Sequence, residues 1–300
     1  MFVLNRQRRR IALNRLFGVL FKSAGFFCIA ALGGIFLMLL SNSVAFFSEI
    51  SFWDFVTDTR WRPEERIQDS RYGFLPLLVS TLWVTVGAML IAAPLGVGAA
   101  LYLSEYADRR VERILKPAIE ILAAVPSVVV GFLGIVVLGP GIARFFGLSN
   151  GLNALNGAIL LAIMALPTII TVAEDAIQAV GHSLKEASYG LGANKWQTLS
   201  RVVLPAAFPG ILAALMLGMG RAIGETMTVL MATGNSAAFP RGFFDAIRAI
   251  TATIAIEMGE TPHRTTHYYS LFAIALMLFL ITMGVNALAE RISNNFRRFQ

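Results

Sequence analysis

Residues 74–103 read FLPLLVSTLWVTVGAMLIAAPLGVGAALYL, without one charged side chain. As a helix this run extends roughly 45 Å, more than the ~30 Å hydrocarbon core of a bilayer. Five further apolar stretches, at about 23–47, 117–139, 152–172, 208–233 and 268–288, are also long enough to cross. The whole chain of 300 residues is 56% hydrophobic and 14% charged, with mean hydropathy +0.68. Soluble domains carry about 25% charged residues. That excess of apolar surface excludes a soluble enzyme, a disordered chain and a collagen-like chain. The expectation is an all-α membrane protein of six transmembrane helices. It divides into a basic N-terminus (1–22), a first span (23–47), an outer segment (48–73), a five-span core (74–289) and a C-terminal tail (290–300).

The first span follows an arginine-rich flank, as a signal peptide does. Its apolar run exceeds the roughly 7–15 residues of a signal core, so it reads as a retained helix. Sixteen Lys and Arg fall on the termini and even-numbered loops, against eight on the other side. By the positive-inside rule, both termini are expected in the cytoplasm of a multi-pass protein of the bacterial inner membrane. The net charge of +7 is thereby explained without nucleic acid. One cysteine, Cys28, excludes an intramolecular disulfide, and His182, His263 and His267 show no metal-ligand spacing, so no metal site is expected. In the segment 48–73, Trp53 and Trp61 are candidate interfacial anchors. The stretch 235–267 is expected to hold a short helix at the interface or re-entering the bundle. Pro94, Pro126 and Pro167 each remove a backbone donor within a span. The glycines at 87, 96, 98, 131, 134, 218, 220 and 224 allow close helix packing.

The polar loop at about 173–207 is long for a helix bundle. Ser183-Leu184-Lys185-Glu186 has capping-box spacing and is expected to start a short helix. Gly190 and Gly192 favour a turn. Asn194 is expected to cap a second helix, carrying Trp196, Leu199, Val202 and Val203, with Pro205 limiting its continuation. This loop resembles the EAA motif of membrane subunits of binding-protein-dependent ATP-driven importers. The matching residues are Glu186-Ala187-Ser188, Gly192 and Val202-Val203-Leu204-Pro205, with Ser188 and Val202 as mild departures. The resemblance implies a type I importer permease fold (MetI-like). It also implies that Ser183, Glu186, Ala187, Gly192, Leu204 and Pro205 belong to a loop that docks on a partner ATPase and transmits its movement.

The fifth span contains Arg221-Ala222-Ile223-Gly224-Glu225-Thr226. Arg221 and Glu225, four apart, are expected on one helix face. A charge in hydrocarbon costs at least about 2.5–3.5 kcal/mol, so the pair is expected to face the bundle or water. A guanidinium suits oxyanions. Glu225 would hold it, and Thr226 and Thr228 would add hydroxyls nearby. A packing salt bridge is the alternative. Tyr72-Gly73-Phe74-Leu75-Pro76, Pro94-Leu95-Gly96-Val97-Gly98, the Arg221–Met227 stretch and Glu257-Met258-Gly259-Glu260 resemble the phosphate-importer permease family. That resemblance implies phosphate as substrate, a sibling permease in the same membrane complex, an ATPase pair and an external phosphate-binding protein. No Gly-x-x-x-x-Gly-Lys-Ser/Thr loop occurs, so the chain is expected to be no enzyme and to bind no cofactor, with ATP and Mg used by the partner. Permeases for phosphonate, sulfate or molybdate, an ATPase-independent transporter and a phosphate-signalling scaffold are the competing readings.

Overall fold

The computed structural model describes residues 2–63 and 70–297. Arg66 and Arg298, which enter the charge count for orientation, lie outside them. The described residues are helical apart from a two-stranded antiparallel sheet and connecting loops. Six helices are long and apolar enough to cross a membrane: Leu16–Phe47, Leu75–Glu105, Ser127–Phe146, Ala154–Gln178, Lys195–Gly224 and Thr266–Ser293.

Helix α1 runs Phe2–Phe47, so the basic N-terminal stretch continues the first span without a break at residue 22. Its end packs into an aromatic cluster with α2 (Phe52–Thr57), β1 (Trp61–Arg62) and β2 (Arg71–Tyr72). Phe46, Phe55, Trp61 and Tyr72 are buried there, edge to face with their neighbours. Each such burial contributes about 1.5–3 kcal/mol. Trp61 is therefore no interfacial anchor: its indole N–H donates to Glu257 at 3.0 Å, a partner 196 residues away. Trp53 stays exposed. This pole of the bundle is called the strand end.

Helix α3 (Leu75–Glu105) packs along α7 (Ala154–Gln178) at the centre of the bundle. The contact is close because the glycines are small. A Cβ on Gly96 would sit 2.6 Å from Ile169, and one on Gly218 would sit 2.5 Å from the same side chain. The first N–H groups of α7 are satisfied by the Asn153 side chain and by the carbonyls of Asp245 and Phe243.

The third pass is built of pieces. Helix α4 (Arg109–Ala124) ends at Val125, and α5 (Ser127–Leu133) starts after Pro126. A π turn, Gly134–Leu138, leads into α6 (Gly139–Phe146). Neighbours on α7 fix the heights: Lys116 pairs with Glu174, Gly134 abuts Leu160, and Gly139 lies beside Asn156. The chain therefore climbs most of α7 between Lys116 and Gly139, and Pro126 interrupts it partway. The membrane-length helix here is Ser127–Phe146, so the third span starts ten residues and ends seven residues beyond the stretch expected at 117–139, whose first part belongs to the amphipathic α4.

Helix α8 (His182–Gly190) and α9 (Lys195–Thr198) form the hairpin before the fifth span, and their pole is called the hairpin end. A π turn, Leu199–Val203, then feeds α10 (Leu204–Gly224). Pro205 does not stop the helix: the wider π turn precedes it, and it occupies the first turn of α10, where a proline's missing donor is least costly. The fifth span, expected to reach residue 233, ends at Gly224. Helix α11 (Met227–Ala232) follows a break at Glu225-Thr226. Helix α12 (Ile250–Glu257) is the short helix expected in the second outer stretch, and its buried residues include Ile250 and Glu257. Helix α13 (Thr266–Arg297) returns to the hairpin end, where Ser293 meets the Pro209 carbonyl.

Candidate functional site: an intramembrane cation and a docking hairpin

Arg221 lies three residues before the end of α10 and reaches α7, its Nη1 donating to Thr168 Oγ1 at 3.3 Å. Thr168 is roughly 21 Å from one end of α7 and about 15 Å from the other. The guanidinium therefore sits near mid-depth. It also borders a cavity of about 650 Å³ between α10 and α13, with Gly220, Asn286 and Glu290.

The expected Arg221–Glu225 pair on one face does not form. Glu225 has extended backbone (φ −71°, ψ 127°) and caps the end of α10, so the four-residue helical spacing is lost. Its carbonyl accepts from Thr251 Oγ1 at 2.9 Å, and its carboxylate accepts from the Thr228 N–H at 3.3 Å. Glu225 thus stabilises the restart of the chain at α11. No ion pair involves Arg221 among the described residues. Thr226 is half-buried, and its hydroxyl lies 3.5 Å from the Gly224 carbonyl. A Cβ on Gly220 or Gly224 would meet nothing within 4 Å, so the space beside Arg221 is open.

Thr228, at the start of α11, is buried and within 3.1 Å of the Ser127 carbonyl and of Met164 Sδ. These contacts close α11 onto α5 and α7 at the height of Met164. The Thr228 hydroxyl, expected beside Arg221, is thus used for packing. Thr168 has no mark in the sequence: it follows Pro167 in an apolar span, and only the Arg221 contact distinguishes it.

At the hairpin end, α8 begins at His182 with Gly181 as its cap, and no side chain caps it. The Ser183–Glu186 capping box is therefore absent: the cap lies two residues earlier than expected, at Gly181, which puts Ser183 inside the first turn. The capping box belongs to α9 instead, where Asn194 Oδ1 accepts from Gln197 N at 2.8 Å and Gln197 Oε1 accepts from Asn194 N at 2.9 Å. Gly192 makes the turn with φ +84°, a conformation that costs other L-residues about 1–2 kcal/mol. Ser188 and Thr198, both buried, join the two helices through hydroxyls 2.9 Å apart. Lys185 pairs with Glu105, and Lys195 lies 4.3 Å over the Tyr106 ring, so the hairpin is braced on the end of α3. The sequence carried Glu105 and Tyr106 without marking this role, because their partners lie 80 or more residues on.

The hairpin presents apolar side chains outward. Leu191 is 90% exposed and Trp196 67%, while Glu186, Ala187 and Pro205 are also exposed. Leu199 and Val203 turn inward and are buried, with Leu204 half-buried against the same cluster. Beside the hairpin, Lys116 bridges Glu112 at 2.8 Å and Glu174 at 2.9 Å. The Lys116 hydrogen bond holds the Glu112 carboxyl below the usual carboxylate range, and the two acids raise the Lys116 ammonium.

The family description for binding-protein-dependent transport system inner membrane components matches residues 92–298. A probable ABC transporter permease protein, YqgH of Bacillus subtilis, is 39% identical over 79% of this chain and 78% of its own. The phosphate transport system permease protein PstC of Mesorhizobium japonicum is 34% identical over 94% of this chain and 90% of its own. Among solved structures, a bacterial alginate ABC transporter in complex with an alginate pentasaccharide-bound periplasmic protein superimposes with TM-score 0.61. It is 15% identical and covers 93% of this chain and 94% of that one. The MetNI methionine ABC transporter in inward facing conformations gives TM-score 0.54 at 18% identity, covering 74% and 93%. Six membrane-length helices, an exposed helical hairpin before the fifth and a match over more than half the chain agree: the protein belongs to the binding-protein-dependent transport system inner membrane components.

Proposed function

We propose that this chain is the permease subunit of an ATP-driven phosphate importer and forms half of its translocation pathway. The observation that carries this reading is Arg221: a guanidinium near mid-depth, with no ion pair among the described residues and open space beside it. An unpaired cation in lipid is costly, so such a group needs an anionic visitor or water. Planar donors in a fork match the oxygens of phosphate. Similarity to phosphate permeases over nearly the whole length supports that choice of anion.

The chain does no chemistry of its own. The hairpin end faces the cytoplasm, where Leu191, Trp196 and the exposed side of α8 seat in a groove on an ATPase subunit. The Ser188–Thr198 bond and the braces on Glu105 and Tyr106 make the hairpin stiff enough to carry that subunit's motion into α3 and α10. A sibling permease completes the pathway, and an external phosphate-binding protein docks at the strand end. The described ends of α1 and α13, Phe2 and Arg297, point to the hairpin end, which supports a cytoplasmic side for both termini. Glu225 acts by fixing the α10–α11 break that positions Arg221, and Thr226 lies at that break.

The test is uptake of labelled phosphate by vesicles holding the assembled complex. Arg221→Ala abolishes uptake with assembly intact, whereas wild-type uptake is competed by phosphate and not by sulfate or molybdate. Normal uptake by Arg221→Ala removes this residue from the pathway.

A further inference from the structure

The interior of α7 is divided at the height of Met164. Toward the strand end, α11 and α5 cover it: Thr228 touches Met164 and Ser127, and a Cβ on Gly131 would lie 3.0 Å from Met231 Sδ and 3.2 Å from the Thr228 backbone. Toward the hairpin end, the neighbours stand apart. Helix α10 packs on one side, with Gly218 on Ile169 and Gly210 on Ala176. Helix α4 is held on another side through Lys116 and Glu174. Between them runs a face of α7 carrying Thr168, Thr171 and Asp175, at positions i, i+3 and i+7, which share one side of a helix. Thr168 is half-exposed, and Thr171 and Asp175 are exposed.

Three observations distinguish this face from a lipid-facing one. Arg221 bonds to its uppermost residue, and a charge at that depth belongs beside water or protein. Thr171 is exposed and its hydroxyl has no partner among the described residues, whereas Thr81, Thr253 and Thr282 return theirs to the carbonyl four residues back, so this hydroxyl is left for water. Helix α4, which flanks the gap, is amphipathic. Ile114 and Ile121 are 70% and 69% exposed on its apolar side, while Arg109, Arg113, Lys116 and Glu120 share the other. With the apolar side toward lipid, the charged side borders the gap.

We infer that the face Thr168–Thr171–Asp175, walled by α10 and α4 and roofed by the Thr228–Ser127 contact, is the aqueous inner half of the substrate passage. This deepens the importer reading and rests on it for the identity of the substrate. Arg221 stands at the top of the passage, directly under the roof. Contacts roof this face toward the strand end, and its two residues nearer the hairpin end, Thr171 and Asp175, are exposed. An oxyanion released from Arg221 descends past neutral hydroxyls, and Asp175, a carboxylate, offers it no second site that would hold it before the exit.

The experiment uses the assembled complex with Cys28→Ser as background and Thr171→Cys, Asp175→Cys or Ile121→Cys added singly. Inside-out vesicles are treated with an anionic, membrane-impermeant methanethiosulfonate. An aqueous thiol ionises far more readily than one against lipid, and one pKa unit alone is about tenfold in thiolate and in rate. Thr171→Cys and Asp175→Cys are expected to react at least about tenfold faster than Ile121→Cys. Modification of both at the slow Ile121→Cys rate in complexes that still transport overturns the passage and leaves the importer reading standing. Fast modification supports the passage. Slowing of that modification by phosphate, and not by sulfate, tests the substrate separately.

Discussion

The two poles of this bundle are finished in different ways. At the strand end the chain satisfies itself. The buried carboxylate of Glu257 accepts from Trp61, from Arg248 Nη1 at 2.9 Å and from His267 Nε2 at 2.8 Å, tying the first outer segment, α12 and α13 together. Phe46, Phe55 and Tyr72 pack beneath it. At the hairpin end, large apolar side chains stand in the open and α4 has no buried residue. The contrast lies in the buried carboxylate network, because exposed apolar side chains occur at both poles: Trp53 and Phe145 at the strand end, Leu191 and Trp196 on the hairpin. Rigidity is built in where the chain must hold its own shape.

Removing the centre of the strand end has the largest effect. Glu257→Ala leaves Arg248 and the Trp61 N–H without their buried acceptor and is expected to destabilise by about 3–5 kcal/mol. A large fall in the melting midpoint of purified protein checks this, and an unchanged midpoint means the network does not hold this pole together. Trp61→Phe keeps the ring and loses one hydrogen bond to a charged group, for an expected cost of about 1.5–3 kcal/mol in the same assay. At the opposite pole, Gly192→Ala strains the turn at φ +84° by about 1–2 kcal/mol. Its readout is weaker stimulation of the partner ATPase by loaded binding protein, and full stimulation shows that the turn geometry is not used for coupling. The sharpest contrast comes from the smallest stability effect. Leu191→Ser alters an open side chain and is expected to shift stability by less than about 0.5 kcal/mol while reducing ATPase association. Loss of stability with association unchanged would mean that Leu191 serves the fold alone.

Much of this architecture was legible in sequence, because apolar runs and turn residues act locally. The six spans follow from length and hydropathy. The hairpin follows from Gly192 and from Asn194, whose cap on Gln197 is a three-residue interaction. Local pattern failed where a distant group decided the conformation. Arg221 and Glu225 have helical spacing, yet Thr251 binds the Glu225 carbonyl from 26 residues on, and α10 ends at Gly224, between the two residues. The spacing of Ser183 and Glu186 suited a cap, but the chain enters α8 two residues earlier, from Gly181. Trp61 looked like an interfacial anchor because its acceptor, Glu257, lies far along the chain. Pro205 looked like a stop, and the preceding π turn accommodates it. The intramembrane cation was visible from composition alone, since one arginine stands in the apolar fifth span. What surrounds it was not, because that depends on how α7, α10 and α11 meet.

The most direct test is reconstitution. Vesicles holding this chain with its sibling permease, the ATPase and loaded binding protein are compared with vesicles holding this chain alone, both with ATP on the hairpin side. ATP-dependent accumulation of labelled phosphate is expected in the complete assembly and none with the isolated chain. Sustained phosphate flux through the isolated chain, or accumulation that persists after the ATPase is omitted, would contradict that expectation.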